Sequence, residues 1–315
     1  MALLRVLFMG TAELSCDSLR ALIASPYSQV IAVVTQPDRP KGRDLKLQPS
    51  PVKALALQAG LPILQPERAR DEAFLSALRE LRPDLITVAA YGQILPQSIL
   101  DLPRCGCLNV HTSLLPRYRG AAPIQWAILN SEAETGVTIM KMDAGLDTGD
   151  ILTQATTPIS PEDNSETLHD RLASMGAELL VQTIPDHVAG KLNPRPQPAE
   201  GATYAPKIKK QDGHLDWKLP ALTLWNRVRG LMPWPGAFSY LLGQPQPHLL
   251  KIWQAEVVEC AGQPGEVLRA DKAGIVVGCG HKALRILILQ REGGRRLPAQ
   301  DFLAGHPLRP GQKLG

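Results

Sequence analysis

Along the first two thirds of the chain, short apolar runs alternate with helical stretches. Residues 4–9 (LRVLFM) form a run that stops at Gly10, and residues 30–35 (VIAVVT) and 84–90 (DLITVAA) repeat the pattern. Runs with little polar alternation mark strands covered on both faces, as in a parallel sheet. Between them the spacing predicts helices over residues 16–24, 52–59, 72–81 and 123–129. Shorter strands are expected over 62–64, 106–111 and 135–142. A βαβ order of this kind builds an α/β, doubly wound domain with a mainly parallel sheet. Residues 36–51 interrupt it with four prolines and the charges Asp38, Arg39, Lys41, Arg43, Asp44 and Lys46, and read as a polar loop.

Asn164 or Ser165 can cap a long helix that runs to about residue 187, with Gly190 just beyond it. The stretch LNPRPQPAEGATYAP then reads as an extended linker. Beyond it the periodicity changes. Short β-like runs at 249–253, 265–268, 274–277 and 284–289 predict a small β-barrel or sandwich. The expected domains are therefore 1–189, a linker at 190–208, and 209–315. The charge divides along the same line. From residue 209 onward there are 15 Lys and Arg against 8 Asp and Glu, or +7, which leaves −3 for the rest of a chain at +4. A basic back half suits a polyanionic partner.

Five cysteines, few and odd in number, fit a reducing compartment. No apolar run approaches the roughly eighteen residues a membrane helix needs. The expectation is a cytoplasmic monomer with no membrane association.

The first strand end, Gly10-Thr11-Ala12-Glu13, lacks the later glycines of a dinucleotide fingerprint, which disfavours a nicotinamide cofactor. The densest polar cluster at a strand end is Asn109-Val110-His111-Thr112-Ser113. Period-two alternation puts Asn109 and His111 on one face. An amide donor and an imidazole aimed at one point can hold a carbonyl oxygen as it becomes an oxyanion. A histidine of this kind also occurs as an ordinary core residue. The stretch from Met142 to Asp150, at the end of the next strand, brings carboxylates toward the same edge of the sheet. Asp147 lies between glycines, and Asp143 and Asp150 are alternatives on composition. Cys105 and Cys107 have no partner pair, so no metal site is expected.

The stretch NVHTSLLPRYRGAAPI at 109–124, together with MDAGLDTGDIL at 142–152, resembles the folate-dependent formyltransferases. The resemblance covers the whole chain. It includes FMGTAE at 8–13, where the family usually has Pro at Ala12, and TQPDRPKGR at 35–43, LQPSPVK at 47–53, YAPKIKKQDGHLDW at 204–217 and RGLMPWPGAF at 229–238. It implies a Rossmann-like catalytic domain and an OB-like C-terminal barrel. It implies catalysis by Asn109, His111 and Asp147, with 10-formyltetrahydrofolate as formyl donor and no metal. Ser113, Leu114, Leu115 and Pro116 would contact the folate. Tyr91, Ile94 and Leu95 would line the pteridine pocket. The implied acceptor is the methionyl amine of initiator methionyl-tRNA. Arg39, Lys41, Arg43 and Lys46 on the loop, and Arg227, Arg229, Arg295 and Arg296 in the basic domain, are the expected tRNA contacts. Two rival readings are a transferase acting on a small amine and a nucleic-acid-binding module without catalysis.

Overall fold

A computed structural model describes residues 3–41, 46–242 and 247–315. Its strands are β1 (Leu4–Gly10), β2 (Ser28–Val34), β3 (Arg39–Lys41), β4 (Lys46–Gln48), β5 (Ile63–Leu64), β6 (Leu85–Ala89), β7 (Cys107–His111), β8 (Arg119–Gly120), β9 (Glu134–Lys141), β10 (Ile151–Pro158) and β11 (Tyr204–Ala205). Six more follow: β12 (Ala237–Leu241), β13 (His248–Val258), β14 (Val267–Asp271), β15 (Gly274–Gly278), β16 (Ala283–Arg291) and β17 (Arg296–Pro298). The helices are α1 (Leu14–Ala24), α2 (Pro51–Gln58), α3 (Glu72–Leu81), α4 (Gln97–Leu100), α5 (Pro123–Leu129), α6 (Ser165–Val188), α7 (Ala221–Gly230) and α8 (Ala299–Gly305). Two compact units result. Met1–Pro123, Glu134–Pro158 and His169–Ala205 form one, and Ile124–Ala133, Ile159–Leu168 and Pro206–Gly315 form the other.

Local chemistry explains several element boundaries. The Ser50 hydroxyl accepts the Lys53 N–H at 3.0 Å, and Pro51 opens α2, where its missing donor costs nothing. Phe74, Leu75 and Leu78 lie on one face of α3 and bury it. Asn164 caps α6 by accepting N–H bonds from Glu166 and Thr167 at 2.8 and 3.1 Å.

The sheet of the first unit has the order β10-β9-β7-β6-β1-β2-β5. β1, β2, β5, β6 and β7 are mutually parallel, in keeping with the apolar runs of β1, β2 and β6. β9 is antiparallel to both β7 and β10. This corrects the expectation that β9 would end beside the carboxyl end of β7. The Met142 N–H meets the Cys107 carbonyl at the other end of that strand. The edge strand β10 was not expected, because TQATTP carries no apolar alternation. Part of the supposed loop at 36–51 is a short antiparallel pair, β3 with β4. Arg43 and the side chains of Lys41 and Lys46 lie outside the described residues.

The second unit is an antiparallel sheet in the order β12-β13-β16-β15-β14, with β17 on β16. Residues 312–315 join its two edges. Tyr240 and Gly315 exchange N–H···O bonds of 2.8 and 2.9 Å, and the Val267 N–H donates to the Gln312 carbonyl at 2.8 Å. The sheet therefore closes as a barrel, which leaves these edges paired. Trp217, Leu224, Ile252, Val277, Ile286, Phe302 and Leu314 fill its core. The helices α7 and α8 were not foreseen among the β-like runs.

Leu314 joins core and closure, so Leu314→Ala should destabilise the protein by about 2–5 kcal/mol. Denaturant unfolding followed by tryptophan fluorescence measures this. A change below about 0.5 kcal/mol, the range of ordinary surface substitutions, would show that the closing segment contributes little to stability.

Candidate active site

β7 carries Asn109 and His111 on the same face, and both are nearly buried. The loop after β9 folds back to meet them. Asn109 Nδ2 donates toward Asp147 Oδ1 at 3.4 Å, and His111 Nδ1 lies 3.7 Å from Asp147 Oδ2. The second distance is too long for a direct hydrogen bond and leaves an ion-pair approach. His111 is oriented instead by the Tyr118 carbonyl, 2.9 Å from Nε2. A carbonyl only accepts, so Nε2 carries the proton and Nδ1 faces the carboxylate. Among the three loop carboxylates, Asp147 is the one that converges with Asn109 and His111. Asp143 accepts the Gly145 N–H and the Thr148 hydroxyl within its own loop.

Asp147 has a left-handed backbone, φ +53°, unusual for a residue with a side chain. Its Oδ2 accepts the Gly120 N–H at 2.8 Å. The flanking glycines serve space more than flexibility. A Cβ on Gly149 would run into the Lys141 carbonyl, and one on Gly145 into the Thr148 side chain. Gly120 sits at φ +114° against Ala205 in β11. β8 and β11 pair in parallel and brace this wall of the site.

The loop after His111 is fixed through Thr138. Its hydroxyl donates to the Ser113 carbonyl at 2.7 Å and accepts the Leu115 N–H at 3.1 Å. Gln154 Nε2 donates to the Leu115 carbonyl at 3.0 Å, and the Ser113 hydroxyl to the Arg117 carbonyl at 2.6 Å. Ser113 and Leu115 are buried, while Leu114 and Pro116 are half-buried. After β6, Ala90 and Gly92 both have positive φ, and Ile94 is 78% exposed beside buried Leu95. The Tyr91 side chain packs in the core, and burial pushes its hydroxyl up to about 12. Tyr91 therefore faces this region through its backbone. Its carbonyl accepts the Thr11 hydroxyl at 2.9 Å and Gln36 Nε2 at 3.3 Å.

Arg39 pairs with Glu67 on the surface at 3.3 Å. Arg227 and Arg229 lie in the last turn of α7 and bond within their own unit. Arg227 donates to the Asp212 carbonyl. Arg229 donates to Asn226, Ser160 and Asp163 and lies 4.2 Å over the Trp225 ring, and burial lowers its pKa. Arg295 and Arg296 are exposed, and the Arg296 guanidinium stacks 3.3 Å over Trp253. Burial pushes the Cys107 thiol up to about 12, which disfavours thiolate chemistry there. A cavity of about 550 Å³ opens elsewhere in the first unit beside Arg104, Lys141 and His187, and none of Asn109, His111 or Asp147 lines it. Among the described residues, no helix is long and apolar enough to cross a membrane.

Residues 4–184 match the formyl transferase family, and residues 207–307 match the formyl transferase C-terminal domain. A methionyl-tRNA formyltransferase of Geobacter sulfurreducens is 51% identical over 315 residues, covering 100% of this chain and 98% of the relative. One from Caldanaerobacter subterraneus subsp. tengcongensis is 52% identical over 314 residues, covering 99% and 100%. An N-formyltransferase of Helicobacter canadensis, solved with folinic acid and dTDP-3-aminofucose, superposes with a TM-score of 0.66 at 18% identity, covering 90% of this chain and 99% of that one. The chain belongs to the formyl transferase family.

Gly120 combines a positive φ with a Cβ position 2.9 Å from the Ala205 carbonyl. Gly120→Ala should therefore destabilise the protein by at least about 1–3 kcal/mol. Denaturant unfolding tests this, and unchanged stability would show that the β8–β11 contact yields freely.

Proposed function

We propose that this protein transfers the formyl group of 10-formyltetrahydrofolate to the α-amine of methionine on initiator methionyl-tRNA, giving formylmethionyl-tRNA for translation initiation. The observation that carries the reading is the convergence of Asn109, His111 and Asp147 at the end of β7. The neutral amine attacks the formyl carbon, and the carbonyl oxygen takes up the displaced electron pair. Asn109 Nδ2 has a second N–H beyond the one directed at Asp147, and it donates to that oxyanion. Protonated His111 donates from Nδ1. The amine proton passes through water beside Asp147 to the folate nitrogen, and the carbon–nitrogen bond to the folate then breaks.

The 113–116 loop and the exposed Ile94 with Leu95 would hold the folate, with backbone groups reading the ring. We further propose that residues 1–189 carry the chemistry, 190–208 connect, and 209–315 grip the tRNA through phosphates. Arg43 on the inserted loop, with Arg39, Lys41 and Lys46, would direct the acceptor end. Of the four arginines expected in the basic domain, Arg295 and Arg296 are exposed, whereas Arg227 and Arg229 support the fold.

Labelled formyl should move from the folate to methionyl-tRNA, and not to free methionine or an amino sugar. Transfer to the amino sugar alone would overturn the reading. Asn109→Ala should lower the single-turnover rate by about 10²–10³-fold at saturating folate, because an oxyanion donor acts in the transition state. A loss confined to folate affinity would reassign Asn109. Arg295→Ala or Arg296→Ala should each reduce the slope of log affinity against log salt by about one unit without changing which tRNA is preferred. An unchanged slope would remove these cations from the interface. Point variants suit this test, because Ile124–Ala133 and Ile159–Leu168 belong to the same compact unit as the basic domain.

A further inference from the structure

We infer that Gln197, in the stretch between the two periodic halves of the chain, is a positioning residue for Asp147, and that Arg119 holds it in place. The inference rests on Asp147 being the carboxylate of the proposed reaction. Gln197 Nε2 donates to the Asp147 carbonyl at 2.9 Å and to the Gly149 carbonyl at 2.7 Å. Its Oε1 accepts from Arg119 Nε and Nη2 at 3.0 and 2.8 Å. The amide can sit only one way round. A guanidinium only donates and carbonyls only accept, so oxygen must face Arg119 and nitrogen the loop. Arg119 is buried and Gln197 half-buried, so the charged donor polarises the amide where water screens it little.

These bonds close a ring around the carboxylate. Asp147 is held at both ends: its Oδ2 by the Gly120 N–H, its carbonyl by Gln197. Gly120 and Arg119 are neighbours on β8, so one strand supplies both anchors. The loop needs them. Residues 143–146 are exposed, and the left-handed backbone of Asp147 is intrinsically unfavourable. Without Gln197 a lower-energy loop would carry the carboxylate away from His111. A misplacement of about 1 Å at reacting groups can cost about a hundredfold in rate.

Gln197→Glu separates the two halves of the ring. It keeps the acceptor for Arg119 but turns the donor into an oxygen facing two carbonyl oxygens. The single-turnover rate constant for formyl transfer should fall at least about tenfold, while KM for methionyl-tRNA and for the folate stays within about twofold. In an Asp147→Asn background the same substitution should cost less than about twofold, because a residue acting through Asp147 has little left to lose. Rescue should follow chemistry, with Gln197→Asn retaining more rate than Gln197→Glu. If Gln197→Glu does not fold, the same cycle is run with Gln197→Asn. Loss confined to KM, or full additivity with Asp147→Asn, overturns the inference. So does a crystal structure of the variant in which Asp147 keeps its bond to the Gly120 N–H, and this readout holds whatever the substrate. Failure of the wild-type protein to formylate methionyl-tRNA would instead overturn the proposed function.

Discussion

The carboxylate of Asp147 accepts the backbone N–H of Gly120 at 2.8 Å while its backbone stands at φ +53°. Much of the first unit is arranged around that bond. β8 holds Gly120 in place and is itself braced by β11. β7 brings Asn109 and His111 to the carboxylate from the sheet. Burial of Asn109 and His111 weakens water's screening, so the donors and the charge act more strongly on one another than they would on a surface. The separation of 3.7 Å between His111 and Asp147 leaves the ring to be oriented by the Tyr118 carbonyl, so orientation and charge come from different groups.

The second unit solves a different problem. An open antiparallel sheet exposes two edges that would pair with other chains. Residues 312–315 bond to both edges and close it, and Leu314 is buried in the core as they do so. Its cations are not equivalent. Arg229 is surrounded by carbonyls and a tryptophan ring, and desolvation disfavours its charge, whereas Arg295 stands exposed. A net charge of +7 counts both alike, although only an exposed cation can give up counterions to a phosphate.

Elements with strong periodicity were legible from the sequence. The parallel strands β1, β2, β6 and β7 and the helices α2, α3, α5 and α6 appear within a residue or two of expectation, because burial on both faces or along one stripe leaves a local pattern. The edge strand β10 and the short pair β3–β4 left none. β3 and β4 are three residues each, and β10 carries few apolar residues beyond Ile151 and Leu152, so neither shows a period. α7 does carry an apolar stripe, Ala221, Leu224 and Val228, but it stands alone among β-like runs.

Asn109 and His111 could be placed together from sequence alone, because alternate residues of one strand share a face whatever surrounds them. That reasoning does not reach across the chain. Residue chemistry left Asp143 and Asp150 open beside the Asp147 that the family resemblance implies. Bringing Asp147 to Asn109 and His111 requires the loop to fold back from a β9 that runs antiparallel to β7. Gln197 lay unnoticed in a proline-rich stretch because nothing local distinguishes it. Its two carbonyl partners are 50 and 48 residues away and its guanidinium partner 78. The sequence by itself determined the apolar strand runs, the cap of α6 and the shared face of donor and imidazole, because these depend on neighbours within a few residues. Only the tertiary structure showed how the carboxylate named by the family resemblance reaches them and what holds it, because hydrogen bonds between distant segments depend on how the chain returns to itself.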